Sequence, residues 1–459
     1  MRPNAIGTID QCCGRCRSWS GSGDGVGSRM RMGMSRTASF WLLAALVTLF
    51  LFSSSAPSPL YVVYQSRWNF SASTLTAVFA VYAATLLITL LIAGSLSDYV
   101  GRRPVIAAAL AVNAVAAVLF LAAGGVGLLF AARALQGVAV GLVSGALSAG
   151  LIETQPAGKA GLAPLTNTAA QSGGQAIGGL GAGVLVEYGP APTHTVYWVL
   201  LAAFGVAAIG ILMMPEPGAR RPGALASLRP AVTVPAGARR TFVGLLPCLV
   251  ALSALSGLYL SLAPSLIVQL LNSHNRLWGG VVIFLVTGLS IGPSIGLRRI
   301  APATMMLLGC PVMLVGVGLS AWGIAATSGV LFLVGSAVVG LGLGPSFVGV
   351  FGSLIGLAEP HTRAGMLAVI YVALYLGLGI PALAAGIAAG HIGLRVTGLA
   401  YATGVAVLII VTIAGLLVGR RREVSVSPAS VHLVPCPSGI PCLAPADLAT
   451  TETAVAVQV

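Results

Sequence analysis

The feature that most constrains the fold of this 459-residue chain is a succession of apolar runs, each about as long as a bilayer is thick. A helix needs about 20 mainly apolar residues to cross the hydrocarbon core, and twelve runs meet that length. Only 7% of the residues are charged, whereas soluble domains carry about 25%. We therefore predict an all-α membrane protein with twelve transmembrane helices. The predicted spans are 39–63, 73–97, 104–124, 127–153, 161–187, 193–214, 241–270, 277–297, 302–325, 328–356, 364–389 and 396–418.

A segment rich in Pro, Gly and Arg, residues 215–240, separates the sixth run from the seventh and shows no helical period. It divides the runs into two six-helix bundles of nearly equal length, 39–214 and 241–418. We interpret 215–240 as a cytoplasmic linker, 1–38 as a disordered basic arm and 419–459 as a disordered tail. Two such halves are the layout of secondary transporters that rock around a site at the membrane midplane.

The net charge of +14 could indicate nucleic-acid binding, but the positions of the basic residues indicate membrane topology instead. If both termini are cytoplasmic, 20 of the 24 Lys and Arg residues fall in cytoplasmic segments, as the positive-inside rule predicts. We therefore expect a multi-pass protein of a bacterial-type plasma (inner) membrane. The lipid bilayer is then its main partner, no nucleic acid is bound, and we expect a monomer.

The seven cysteines suggest no metal site. Cys12, Cys13 and Cys16 lie close together in the basic arm, but no histidine lies near enough to supply a fourth zinc ligand. No metal and no cofactor are predicted.

An aspartate and two arginines lie within six residues of each other in the segment GSLSDYVGRRP, residues 94–104, at the end of the second apolar run. Its two glycines, Gly94 and Gly101, allow close backbone approach and a tight turn. The segment resembles the motif G-x-L-[SA]-D-x-x-G-R-[RK] of the major facilitator superfamily, in the loop between helices 2 and 3. The matching positions are Gly94, Leu96, Ser97, Asp98, Gly101, Arg102 and Arg103.

The resemblance implies that Asp98 is a conformational latch on the cytoplasmic side, in contact with the N-terminus of helix 11 near residues 363–366 when the cavity opens outward. An anion at a helix N-terminus gains about 0.3–2 kcal/mol, which is small enough to be lost in each cycle. Arg102 or Arg103 would hold Asp98 in place, and Glu153 at the end of helix 4 is a candidate third member. The alternative is that the two arginines only set the topology.

The segment RALQGVAVG, residues 133–141, places an arginine inside the fourth run. A cation at that depth costs at least about 2.5 kcal/mol unless it faces a cavity or a partner. Arg133 stays protonated, so it can shift a neighbouring acid or bind an anionic substrate; the alternative is that it snorkels to the outer interface. Glu187, at the outer end of helix 5, could pair with Arg133, and its protonation would then free the arginine. The segment resembles the family's helix-4 motif R-x-x-Q-G-x-x-x-G at Arg133, Gln136, Gly137 and Gly141.

Helix 5 contains GGQAIGGLGAG, residues 173–183, which resembles in part the antiporter-associated pattern G-x-x-x-G-P-x-x-G-G. Gly179 and Ala182 stand where the pattern has Pro and Gly. We predict close packing of this helix against a neighbour, and ordinary packing is the alternative to a role in export. The matching positions are Gly174, Gly178 and Gly183.

By analogy with the family, helices 1, 4, 7 and 10 line the cavity. The candidate lining residues are Tyr61, Tyr64, Ser256 and Tyr259. A lining of hydroxyls, aromatic rings and aliphatic groups suits small hydrophobic or amphipathic ligands.

The sequence contains no HExxH and no GxxxxGK[ST] motif, so neither an enzyme nor an ATP-driven pump is predicted. The resemblance implies a secondary transporter that works by alternating access, and we predict proton-coupled efflux of small hydrophobic or amphipathic molecules. One alternative is uptake of a small metabolite, including an anionic one bound by Arg133. Another is a non-transporting membrane receptor or scaffold.

Overall fold

The computed structural model describes residues 34–159, 161–218, 233–273, 275–359, 362–425, 433–435 and 441–443. The predictions of a disordered arm over 1–38 and a disordered tail over 419–459 fall mostly outside these residues, as does the cysteine cluster of the arm.

Eight helices form the described part of the first half of the chain. They are α1 (Arg36–Ser55), α2 (Pro57–Trp68), α3 (Ala72–Ala93), α4 (Ser97–Val100), α5 (Arg102–Leu121), α6 (Val126–Thr154), α7 (Leu162–Tyr188) and α8 (Thr195–Met213).

Eight further helices form the second half, after a 3-10 turn at Ala236–Ala238. They are α9 (Arg239–Ser261), α10 (Ala263–Leu270), α11 (Leu277–Gly288), α12 (Ile291–Gly296), α13 (Pro302–Ala325), α14 (Gly329–Gly356), α15 (Arg363–Ile392) and α16 (Leu394–Ser425). Two three-residue strands, β1 (Leu433–Pro435) and β2 (Pro441–Leu443), pair antiparallel beyond the last helix.

The all-α membrane fold is confirmed. Within the described residues, eleven helical spans are long and apolar enough to cross a membrane, counting α1 with α2 and α11 with α12 as single spans. The one predicted crossing outside these eleven is the fifth, 161–187, which corresponds to α7. This helix has 27 residues and is therefore about 40 Å long. Its Asn, Gln, Ser and Gly residues make it less apolar, and it packs against α1 and α11.

The helix ends differ from the predicted spans by a few residues. The first helix begins at Arg36, where Ser35 accepts a hydrogen bond from the Ala38 N–H at 3.2 Å and so caps the helix. The last helix continues to Ser425 rather than ending at 418. Both extensions are polar, so hydropathy alone did not reveal them.

Each half has its own apolar core. One cluster of buried residues runs from Phe40 to Met214 and another from Ala238 to Ile409. The two halves meet mainly along two seams, α3 with α15 and α7 with α11. We call the end of the bundle that holds Arg102, Lys159 and Arg298 the basic end, and the other the opposite end.

Small residues allow the helices to approach closely. A Cβ atom on Gly137 of α6 would lie 2.5 Å from the Tyr82 carbonyl oxygen and 3.0 Å from the Leu86 nitrogen of α3. Gly205 of α8 has no atom within 4 Å of the corresponding position. Space for a methyl group therefore exists at Gly205 and is absent at Gly137.

We predict that Gly137→Ala destabilises the protein by about 1–3 kcal/mol, because α3 and α6 must move apart. Gly205→Ala is the matched control and should leave stability unchanged or slightly raised, since Ala is favoured over Gly in a helix. Thermal melting of the purified full chain in detergent measures both. Equal melting temperatures for the two variants would contradict the packing argument.

Candidate functional site

A cavity of about 200 Å³ lies between the two halves. The first half contributes Tyr82, Asn167 and Gln175 to its wall, and the second half contributes Ser256 and Tyr375. Among the described residues that line it, none is Asp, Glu, Lys, Arg or His. The wall therefore offers hydroxyl, amide and aromatic groups without a formal charge.

Of the four predicted lining residues, the structure places Ser256 in this wall, whereas Tyr61, Tyr64 and Tyr259 are not among the residues that line it. Tyr61 accepts a hydrogen bond from Arg133 and is buried away from the cavity. Tyr64 donates to the Tyr197 hydroxyl at 3.3 Å, and Tyr259 bonds Ser320 at 3.3 Å. Each of these three hydroxyls has its hydrogen-bond partner within its own half of the chain, as is usual for buried polar groups.

Sequence reasoning missed the polar face that α7 presents to the cavity. Asn167, Gln171 and Gln175 all line it, and their four-residue spacing places them on one helical face. The analogy assigned the wall to predicted helices 1, 4, 7 and 10. The second, fifth and eleventh predicted helices, which are α3, α7 and α15 in the structure, also contribute. The four-residue spacing of these amides in the least apolar span is the sequence signal that could have identified this polar face.

The two halves are packed closely at the opposite end and are separated by a second cavity at the basic end. At the opposite end, Thr76 of α3 is fully buried, and a Cβ atom on Gly386 of α15 would lie 2.7 Å from its Cβ. At the basic end a second cavity of about 540 Å³ separates the halves, with Lys159, Arg298 and Arg299 in its wall.

Arg133 is fully buried between aromatic rings. Its Nε donates to the Tyr61 hydroxyl at 2.6 Å, and its Nη1 donates to the Gln136 Oε1 at 2.6 Å and to the Ser54 carbonyl at 2.9 Å. Its guanidinium carbon lies 5.3 Å from the ring centroids of both Tyr61 and Tyr82. The snorkelling alternative is therefore wrong, because the charge is directed into the bundle.

The proline break between α1 and α2 explains why Arg133 and Gln136 lie there. Pro57 has no N–H, so the Ser53 carbonyl four residues earlier loses its helical partner. The Gln136 Nε2 donates to that carbonyl at 2.8 Å. The C-terminus of α1 also carries a partial negative charge, which the nearby guanidinium stabilises.

A hydrogen-bonded pair stands between Arg133 and the cavity. The hydroxyls of Ser54 and Tyr82 are 2.9 Å apart, and both residues line the cavity and contact Arg133. The Arg133 Nη2 has no hydrogen-bond partner among the described residues.

The predicted pairing of Glu187 with Arg133 is wrong. The Glu187 Oε2 accepts a hydrogen bond from the backbone N–H of Arg276 at 2.9 Å. The carboxylate therefore contacts the second half of the chain, while the hydrogen-bond partners of the Arg133 Nε and Nη1 are neutral groups of its own half.

At the basic end, Arg102 brings two acids together. It forms ion pairs with Asp98 and with Glu153, the latter at 3.0 Å, and donates to the Ser97 hydroxyl at 2.6 Å. Arg102 is thus the arginine that contacts Asp98, whereas the Arg103 guanidinium donates to the Leu212 carbonyl. The role of Asp98 as a latch on helix 11 stays a prediction.

Glu216, a residue of the predicted linker, caps α5. Its carboxylate accepts the N–H of Arg102 at 2.6 Å and that of Arg103 at 3.2 Å. Gly101 precedes this helix with a φ of 109° and has no side chain that could cap it. The sequence signal for this cap is an acidic residue directly after the sixth apolar run.

The predicted packing glycines of helix 5 lie at close contacts. A Cβ on Gly174 would lie 2.5 Å from the Thr48 carbonyl oxygen and one on Gly178 2.6 Å from that of Phe52, both in α1. A Cβ on Gly183 would lie 3.3 Å from the Gly280 Cα in α11. In the loop motif, Gly94 contacts α6, since a Cβ on Gly145 would lie 2.5 Å from its carbonyl oxygen.

We predict that Gln136→Leu destabilises the protein by about 1–3 kcal/mol, because the Ser53 carbonyl then remains buried without a donor. Gln171→Leu, the same exchange in the cavity wall, serves as the control and should have a smaller effect. The melting temperature of each purified variant measures the difference. A loss for Gln171→Leu as large as for Gln136→Leu would contradict the capping role.

Comparison with known proteins agrees with this geometry. Two solved structures of the nucleoside transporter NupG share the fold. A mutant form superposes with a TM-score of 0.64 at 13% identity, over 83% of this chain and 100% of that chain. Another superposes with a TM-score of 0.61 at 12% identity, over 82% and 98%.

Among curated proteins the comparison finds no match. The sequence itself matches the Major Facilitator Superfamily over residues 42–377. That match spans well over half of the 459 residues and both halves of the fold, so this chain belongs to the Major Facilitator Superfamily of membrane transporters.

Proposed function

We propose that this protein is a proton-coupled exporter of small hydrophobic or amphipathic molecules that works by alternating access as a monomer. The observation that carries the proposal is the uncharged cavity between two bundles that touch each other at one end. A substrate held there contacts both halves, so a rocking motion between them would expose it to either side of the membrane.

The lining supports the substrate class. Aromatic groups such as Tyr82 and Tyr375 offer apolar faces, and amides such as Gln175 offer a few hydrogen bonds. Ligand sites are typically lined in this way, with few polar groups that fix orientation. A strongly charged substrate would lack a counter-charge in this wall.

Charge distribution supports the proposed orientation. The basic end would face the cytoplasm of a plasma membrane, because Lys and Arg accumulate in cytoplasmic loops. The cavity would then open inward, the state in which an exporter loads its substrate. The close packing of Gly174 and Gly178 on α1 fits the partial resemblance of helix 5 to antiporters.

Uptake of a small anion is the second candidate function, and Arg133 favours it. Within the described part of the chain its Nη2 has no hydrogen-bond partner, and the partners of its Nε and Nη1 are neutral. A buried cation without a carboxylate is costly, so an anionic substrate that displaced Tyr82 would gain a strong partner. The neutral cavity wall in front of it is the reason we rank this candidate second.

Transport in inverted membrane vesicles tests direction and coupling. We predict that radiolabelled chloramphenicol, which is neutral and amphipathic, accumulates in vesicles containing the protein when their lumen is acid. A neutral probe is needed because a weak base would accumulate in an acid lumen without a transporter. Collapse of the gradient with an ionophore should abolish the accumulation.

The same vesicles carry the controls. Labelled uridine serves as a hydrophilic comparison, since the fold neighbours are nucleoside transporters, and benzoate tests the anion alternative. Chloramphenicol accumulation that does not depend on the pH gradient would contradict proton coupling. Uptake of benzoate without any chloramphenicol signal would favour the second candidate.

We predict that Asp98→Asn lowers the transport rate at least about tenfold while the amount of protein in the membrane stays unchanged. The exchange removes the charge that would meet the α15 N-terminus in the outward-open state, and it weakens the contact with Arg102. Initial rates in the vesicles, normalised to protein by immunoblot, measure the effect. Unchanged transport would count against the latch, and absence of transport in the parent chain would favour the scaffold alternative.

A further inference from the structure

We propose that Glu187 is a second latch, which holds the two halves together at the opposite end of the bundle. It does so by accepting the backbone N–H of Arg276 at the start of α11. The inference rests on the proposed alternating-access cycle, in which this end must open to release substrate. It assigns Glu187 a role in positioning the halves.

The contact joins elements from different halves. Glu187 lies in the last turn of α7, in the first half, and Arg276 directly precedes α11, in the second half. The carboxylate Oε2 lies 2.9 Å from the Arg276 nitrogen. The next donor, the Leu277 N–H, is satisfied within its own half by the Asn275 Oδ1 at 2.8 Å. One N–H at the start of α11 is therefore satisfied by a side chain from the other half.

The physical chemistry of this contact suits a reversible latch. The start of a helix carries a partial positive charge, and its effect on an anion falls off within one turn. A carboxylate that accepts a backbone N–H forms a charge-assisted bond, stronger than a neutral one. Both contributions vanish once Glu187 and Arg276 move apart, so they favour only the state in which this end is closed.

The α7–α11 seam beneath the contact makes Glu187 sensitive to that motion. Gly183, one turn before Glu187, packs directly on the second half, since a Cβ there would lie 3.3 Å from the Gly280 Cα. A Cβ on Gly280 would in turn lie 2.5 Å from the Gly179 carbonyl oxygen. The two backbones touch without intervening side chains, so separation of the halves at this end must change the distance between Glu187 and Arg276.

The other seam provides a reporter far from the latch in sequence. Thr76 of α3 is fully buried against Gly386 of α15 at the same end. When the opposite end opens, this residue becomes exposed to water. A cysteine at position 76 therefore reports opening through its rate of reaction with a maleimide.

The test uses the full chain in lipid nanodiscs, with Thr76→Cys and the five terminal cysteines replaced by serine. The chain without Thr76→Cys gives the background from Cys248 and Cys310. We expect Glu187→Gln to speed labelling at position 76 roughly tenfold, because loss of the charge favours the open end. Labelling needs neither substrate nor a known orientation in the cell.

Two variants of Arg276 decide whether the backbone carries the contact. Arg276→Ala keeps the N–H and should label like the parent. Arg276→Pro removes the N–H at a φ of −75°, which proline can adopt, and should label as fast as Glu187→Gln. It also keeps the proposal testable if Glu187→Gln fails to fold.

Parent-like labelling of both Glu187→Gln and Arg276→Pro would overturn the latch, as would an Arg276→Ala effect equal to that of Glu187→Gln. The outcome is independent of the proposed function. If the variants show the expected labelling but the chain transports no chloramphenicol, the latch is supported and the proposed exporter function is contradicted. If the chain transports chloramphenicol but the variants label like the parent, the exporter function is supported and the latch is contradicted.

Discussion

The break in the first span depends on two side chains from α6. In a bilayer every backbone polar group must find a partner inside the protein, and Pro57 leaves the Ser53 carbonyl without one. Gln136 supplies the missing donor, and Arg133 donates to the next carbonyl, that of Ser54. Without Gln136, the turn from α1 into α2 would leave the Ser53 carbonyl unsatisfied inside the membrane.

The position of the cavity wall follows from that interaction. Because α1 ends where Arg133 and Gln136 hold it, Ser54 lies opposite Tyr82 and the two hydroxyls form a hydrogen bond. The tyrosine rings on either side of the guanidinium add cation–π attraction and separate the charge from the cavity. A charged residue at mid-depth thus supports a site whose own surface is uncharged.

Short-range features of this fold could be predicted from sequence, and long-range partners could not. Asp98 and Arg102 are only four residues apart in one short loop, so their contact is local in sequence, and the bilayer thickness sets the length of the spans. Tyr61 was misplaced because its partner, Arg133, is 72 residues away. Glu187 was paired with Arg133 because both were expected near the same membrane surface, but depth does not say which face of a helix points to which neighbour. The Arg276 partner is a backbone group, to which the residue type gives no clue.

Charged side chains and the central cavity occupy different parts of the bundle. The carboxylates with described partners lie near the two ends, Asp98, Glu153 and Glu216 at the basic end and Glu187 at the other. Among the described residues in the wall of the central cavity there is no carboxylate. An ion pair or a charge-assisted hydrogen bond is a single directional contact that is made in one state and lost in the other, whereas apolar and aromatic walls make many individually weak contacts, none of which is decisive. Contacts at the ends can therefore decide which side of the bundle is closed, while the centre accepts ligands of varied shape, and a ligand need not carry charge for the two states to remain distinct.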